Sequence, residues 1–215
     1  MPLVPRDKVW SVTSITARQE PMLKTAWHQD APYNDNYPVD GSNRKYFAGC
    51  GPIALAQILY YNRFPNSING ETFDWDLLEE CEKENYPPSN SAKIEVAKFV
   101  YQILLNIDDV NYATLNNGRK VAGITINNAR SFLQDIGYSN TSVENYSLNS
   151  VMSMVINNRP IFIGGRDSVY GGHAWVIDGY SRDELTINYY IYNNLAISPG
   201  NPTSEYILDH TVQHS

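Results

Sequence analysis

Two cysteines and four histidines bound the thiol chemistry open to this 215-residue chain. Cys50 stands in Gly49-Cys50-Gly51-Pro52, directly before a nearly uninterrupted apolar run over 51–62. A thiol at a helix start faces unpaired N–H groups and the positive end of the helix dipole, and both favour the thiolate. The flanking glycines let backbone or substrate approach closely. Those are the requirements of a nucleophile; the competing reading is a small, inert, buried residue. His173 follows two glycines, Gly171 and Gly172, at the start of a strand-like run, which leaves one face of its ring open. It serves equally well on paper as a satisfied core histidine. If strands over 173–178 and 185–191 turn near Tyr180 and Ser181, His173 and Asn188 face each other on one side of a hairpin. The Asn188 amide oxygen then accepts from one ring nitrogen and leaves the other for the thiol, the nucleophile–base–orienter logic of a cysteine hydrolase. Gln29, in Trp27-His28-Gln29-Asp30, offers a side-chain N–H to a developing oxyanion, with the Cys50 backbone N–H as the second donor. An exposed loop amide is the plain alternative for Gln29, and one asparagine among 23 is the plain alternative for Asn188.

The remaining candidates carry less. Cys81 sits in Glu79-Glu80-Cys81-Glu82, where carboxylates disfavour the thiolate. A disulfide between the two cysteines would consume the nucleophile. His210 and His214 are four apart, but with only Asp209 beside them they read as solvent-facing rather than as a metal site. Asp178 is expected to close the hairpin turn. Asp108-Asp109 lacks the spacing of a calcium loop, and no phosphate-binding glycine motif is present, so neither metal nor cofactor is expected.

The elements that would hold these residues run from helices to strands. Residues 1–22, with Pro2, Pro5 and Pro21, read as an extended arm, and 27–49 as a long loop dense in turn residues. The run 51–62 is apolar on nearly every face, which predicts a buried central helix that stops before Pro65. Residues 66–90 read as loop with a short element near Phe73–Leu78. Three-four spacing predicts an amphipathic helix over 91–106 capped by Ser91 and another over 125–136 ended by Gly137. A third helix is expected over 147–158. After Pro160 the period drops to two, with strands at Ile161–Ile163, His173–Asp178 and Leu185–Ile191. Helices first and strands last give an α+β class, a helical lobe (23–158) packed against an antiparallel sheet lobe (159–215) in one domain over 1–215.

Composition excludes much else. The net charge of -7 argues against nucleic acid as a partner. With 42% apolar and 18% charged residues, a chain of this length can build a core and is not disordered throughout. No apolar run approaches the roughly 20 residues that a membrane helix needs, so no integral membrane segment is expected. No leader pattern opens the sequence. Abundant asparagine and 16 tyrosines suit an extracellular bacterial protein.

Taken together, Trp27-His28-Gln29, Pro32-Tyr33-Asn34, Gly49-Cys50 with Ala54 to Tyr61, Asn62-Arg63-Phe64-Pro65, Phe73-Asp74-Trp75 and Gly171-Gly172-His173-Ala174-Trp175-Val176-Ile177-Asp178-Gly179 follow one another in an order that resembles the streptopain-like bacterial cysteine peptidases, of papain-like fold. The resemblance runs from about residue 20 to residue 190. It implies Cys50 as nucleophile, His173 as acid/base, Gln29 as oxyanion donor and Asn188 as histidine orienter, with Gly49, Gly171, Gly172 and Tyr189 on the substrate side. It implies hydrolysis of protein or peptide substrates through an acyl-enzyme, with an apolar pocket for the residue second from the scissile bond. It also implies export to the medium or cell envelope and synthesis behind an inhibitory pro-segment, an inhibitor protein being the other expected partner. This chain would then be a mature-like form without leader or pro-segment. The sequence departs from the family after Asn188. A tryptophan and a glycine-rich loop with a second tryptophan are replaced by Tyr189-Tyr190-Ile191-Tyr192-Asn193-Asn194. Tyr189 would there shield the histidine–asparagine bond less bulkily than indole. Two further expectations stand beside hydrolysis: a catalytically impaired relative that binds peptides or a partner in the same cleft, and acyl transfer or cell-wall peptide cleavage on the same dyad.

Overall fold

The structure, a computed structural model, describes residues 8–12, 15–167, 171–183 and 187–190. Expectations that fall on 191–215, including the departure over Ile191-Tyr192-Asn193-Asn194 and the pair His210 and His214, lie outside the described residues. The chain divides into two compact units, one over Pro21–Gly179 and one from 1–20 together with 180–215.

In the larger unit, helix α1 (Cys50–Asn62) is buried on nearly every side: Gly51 to Ala56, Ile58, Leu59 and Tyr60 all lie in the interior. A helix apolar all round has no polar face to turn to water, so other elements must cover it. It ends as expected before Pro65, with Arg63 in the left-handed conformation and the Phe64 N–H bonded to the Leu59 carbonyl. Helix α2 (Trp75–Glu79) is capped by Asp74, whose carboxylate accepts from the Asp76 and Leu77 N–H groups. Helix α3 (Asn90–Leu105) packs beside α1 through Val96, Phe99, Val100 and Ile103, all fully buried. Its cap is Ser89 rather than Ser91: the Ser89 hydroxyl accepts from the Ala92 N–H, and its own N–H donates to Glu80 at 3.0 Å. That tertiary tie selects one of two serines two residues apart. Helix α4 (Ile126–Asp135) opens on a capping box between Thr125 and Asn128 and is followed by Gly137 at φ 106°. Helix α5 (Leu148–Ile156) leads into the strands.

Among the described residues the named strands pair antiparallel, and several of them were not expected. Strands β1 (Lys8–Val12) and β2 (Ile15–Gln19) occupy the segment read as an arm. A two-residue pair, β3 (Ser67–Ile68) and β4 (Glu71–Thr72), follows α1. Between α3 and α4 lies a hairpin, β5 (Asn111–Thr114) and β6 (Lys120–Gly123), inside the stretch assigned to helices. Strand β7 (Ile161–Asp167) pairs with β8 (Gly171–Ile177) in the register Gly165↔His173 and Ile163↔Trp175. Strand β9 (Tyr180–Asp183) pairs with β2, and β10 (Ile187–Tyr190) with β1.

The expected hairpin between 173–178 and 185–191 therefore gives way to a different pairing. β8 takes β7 as its partner, from which it is separated by three residues, and short closures are entropically favoured. Tyr180 and Ser181, assigned to the turn, begin a strand instead. Asp178 closes no turn: its carbonyl accepts from the Met22 N–H at 3.0 Å and its carboxylate from the Leu23 N–H at 2.9 Å, which fastens the incoming chain.

Candidate active site

Cys50 is the first residue of α1, and the residue at its N-cap, Gly49, has no side chain with which to cap that helix. The first N–H groups of any helix have no intrahelical acceptor, so they remain directed toward whatever occupies the space before the thiol. Gly49 sits at φ 89° and ψ 142°, and a Cβ there would stand 1.9 Å from the Ala122 carbonyl oxygen of β6. Only glycine fits that close approach. A Cβ on Gly51 would meet Ile124 at 2.4 Å.

The loop entering Cys50 is held from two sides. The Phe47 N–H donates to the Lys120 carbonyl at 2.8 Å and the Ala122 N–H to the Phe47 carbonyl at 3.3 Å, which ties the residues before Cys50 to β6. The Ala48 N–H donates to the Gln29 carbonyl at 2.9 Å, so the chain at Gln29 runs alongside the chain two residues before the thiol. Trp27 anchors that second segment. Its ring is buried against Tyr33, Tyr60 and Phe99, and its indole N–H donates to the Cys81 carbonyl at 2.9 Å.

Strand β8 completes the near side. The Ala174 N–H donates to Cys50 Sγ at 3.3 Å. The residue next to His173 thus touches the half-buried thiol directly. The exposed His173 ring stacks on Trp175, with centroids 5.8 Å apart and planes 20° from parallel. Residues 173 and 175 share a face of the strand. Across the ladder Gly165 leaves that indole its space, since a Cβ there would come within 3.0 Å of the ring. Gly171 and Gly172 pair with Asp167 and Arg166.

Four of the expected residues are therefore brought into one neighbourhood: Cys50, His173, Gly49 and, through its backbone, Gln29. Asn188 and Tyr189 belong to the smaller unit, where their backbones pair with Ser11 and Trp10. Cys81 is of another kind. Both cysteines are free, and Cys81 is 4% exposed with its S–H directed at the Ala92 carbonyl, 3.7 Å away. Burial first, and the Glu80 carboxylate second, push its thiol up to about 11. The neighbouring carboxylates contribute as expected, but desolvation is the larger cause. A folded-state value above the usual 9.0 stabilises the fold below pH 9 and loses that contribution as pH rises through about 11. Unfolding measured between pH 8 and pH 11 is expected to show falling stability over that window, and Cys81→Ala is expected to flatten the slope.

The hairpin β5–β6 was not expected to take part, yet it packs on α1 and bounds the loop entering Cys50. Asn117-Gly118, flanked by short alternating runs, was the available signal.

The sequence profile described as the peptidase C10 family matches residues 27–196, which spans the whole of this constellation. The chain belongs to the peptidase C10 family. It is a cysteine-type peptidase, and the resemblance to the streptopain-like enzymes is borne out. Among solved structures, the active wild-type interpain A cysteine protease of Prevotella intermedia is 21% identical, with a TM-score of 0.64, covering 86% of this chain and 85% of that one. A mutant fragment of prointerpain A of Prevotella intermedia is 23% identical at the same TM-score of 0.64, covering 87% of this chain and 65% of that one. At these identities the two structures establish the fold, and this peptidase C10 member shares their papain-like architecture of helices and small antiparallel sheets. No curated protein gave a match. Among the described residues, no helix of this C10 peptidase is long and apolar enough to cross a membrane.

Proposed function

We propose that this peptidase C10 member is an endopeptidase that cleaves peptide bonds through a thioester on Cys50. The observation that carries the proposal is the Cys50 thiol at the start of an uncapped helix, accepting the Ala174 N–H beside His173. The Cys50 thiolate attacks the peptide carbonyl carbon. The resulting oxyanion is held by the Cys50 N–H and the Gln29 side-chain amide. His173 then protonates the leaving amine as the C–N bond breaks. Water, giving its proton to His173, attacks the thioester and releases the acid and the thiol. Gly49, Gly171 and Gly172 border the substrate. Residues 1–215 act as one catalytic domain, with an apolar pocket for the residue second from the scissile bond.

One solved neighbour is described as a prointerpain, and we carry to this chain synthesis behind an inhibitory pro-segment and export from a bacterial cell. A casein-type substrate incubated under reducing conditions, with products identified by mass spectrometry, tests the substrate class. Fragments with two internal ends are expected. Stepwise trimming from one terminus, or cleavage confined to cell-wall peptides, would contradict endopeptidase action.

A further inference from the structure

We propose that Arg119 is a positioning residue that locks the Gln29 segment to the loop entering Cys50; this rests on Gln29 serving as an oxyanion donor. Arg119 closes the turn between β5 and β6, and its side chain is only 21% exposed. Its guanidinium donates to Asp30 Oδ1 at 2.9 Å, next in sequence to Gln29. Through Nε and one terminal nitrogen it donates to the Lys45 carbonyl at 3.2 and 3.0 Å. Its flat face lies over the Phe47 ring, 3.4 Å from the centroid. One planar group thus joins three segments distant in sequence, at 30, 45–47 and 119.

Backbone bonds extend the same junction toward the thiol. Lys120 and Ala122 hold Phe47, and the next residue, Ala48, holds the Gln29 carbonyl. The turn is itself braced: the Arg119 N–H donates to Asn117 Oδ1 at 2.9 Å, and Arg44 donates to the Asn117 carbonyl at 3.0 Å. The chemistry is particular to arginine. A fork of in-plane donors with an aromatic-stacking face can serve a carboxylate, a carbonyl and a ring at once, whereas an ammonium is a point charge. Arg119 touches neither thiol nor imidazole among the described contacts; it fixes where Gln29 stands relative to Cys50.

Displacing an oxyanion donor by about 1 Å is enough to lose on the order of 100-fold in turnover. Arg119→Ala is therefore expected to lower kcat by roughly 10- to 100-fold with KM changed less than about threefold. Alkylation of Cys50 by iodoacetamide develops no oxyanion, so its rate should stay within about threefold of wild type. Arg119→Lys should recover only part of the loss, and Asp30→Asn should lose less than Arg119→Ala. The decisive comparison is a double-mutant cycle with Gln29→Ala. Once Gln29 is gone, removing Arg119 should add little. Full additivity in the cycle, or a parallel fall in kcat and alkylation rate, overturns the proposal. If Arg119→Ala does not fold, Arg119→Lys and Asp30→Asn carry the same cycle. Unchanged kcat in Gln29→Ala overturns the oxyanion reading beneath it, which is a separate outcome from a cycle that fails with Gln29 important.

Discussion

Cys50→Ala is expected to abolish proteolysis, lowering turnover by at least about 10⁴-fold while leaving the fold intact. The first helical position tolerates alanine, and Cys50 is only half buried, so little packing is lost. What disappears is the thiol itself, the group proposed to form the acyl-enzyme. The Ala174 N–H loses its sulfur acceptor, a weak bond at a partly solvated site. Unfolding of the variant in urea should match wild type within about 1 kcal/mol. The contrast between near-zero activity and near-normal stability is the informative result. Cleavage of a casein-type substrate at the wild-type rate would remove Cys50 from the mechanism, and a collapse in stability would mean that the residue is structural.

The second large effect is expected at Gly49. Gly49→Ala would place a Cβ 1.9 Å from the Ala122 carbonyl oxygen and 2.9 Å from its carbonyl carbon. Those are backbone atoms of a paired strand, so no side chain can swing aside. Alanine is also strained at φ 89°. Backbone strain of this kind costs roughly 1–3 kcal/mol by itself, and the collision adds to it. The loop entering Cys50 must then leave β6, taking the start of α1 with it. The expected result is a loss of at least about 3 kcal/mol in stability together with activity below about 1% of wild type. Gly70→Ala separates the two causes. Gly70 also has positive φ, at 84°, but nothing lies within 4 Å of its absent Cβ. It should show the strain without the collision and keep its activity. Equal behaviour of the two variants, measured by denaturant unfolding and by proteolysis, would mean that the contact with Ala122 does not position Cys50.

These effects fall where the sequence was partly legible. Helix α1 could be read because its apolar residues cover every face, and only a buried helix has that pattern. Helices α3 and α4 followed from three-four periodicity, although Ser89 displaced Ser91 as cap through a bond to Glu80 that no local pattern announces. Cys50 and His173 were legible as types in glycine-rich settings, and the fold brings their segments together through Ala174. The strand pairing was not legible. β10 pairs with β1 and β9 with β2, so each partner comes from the opposite end of the chain. Period-two patterns mark strands without naming their partners. The hairpin β5–β6 was hidden for a different reason. Its strands are four residues each, and β5 is exposed throughout, so alternation is weak. Its importance lies in backbone contacts with 47–49, and in the Arg119 side chain, neither of which periodicity reports.

The most direct test of Cys50 as nucleophile is a count of thiol modification against lost activity. The folded protein would be treated near pH 7 with one equivalent of iodoacetamide, followed by peptide mapping of both cysteines and a parallel proteolysis assay. Cys81 is buried and its thiol is held near 11, so under about 0.1% of it is thiolate at pH 7. Modification is expected at Cys50 alone, with activity falling in proportion to the fraction modified. Full activity with Cys50 modified, or labelling of Cys81 ahead of Cys50, would contradict the mechanism.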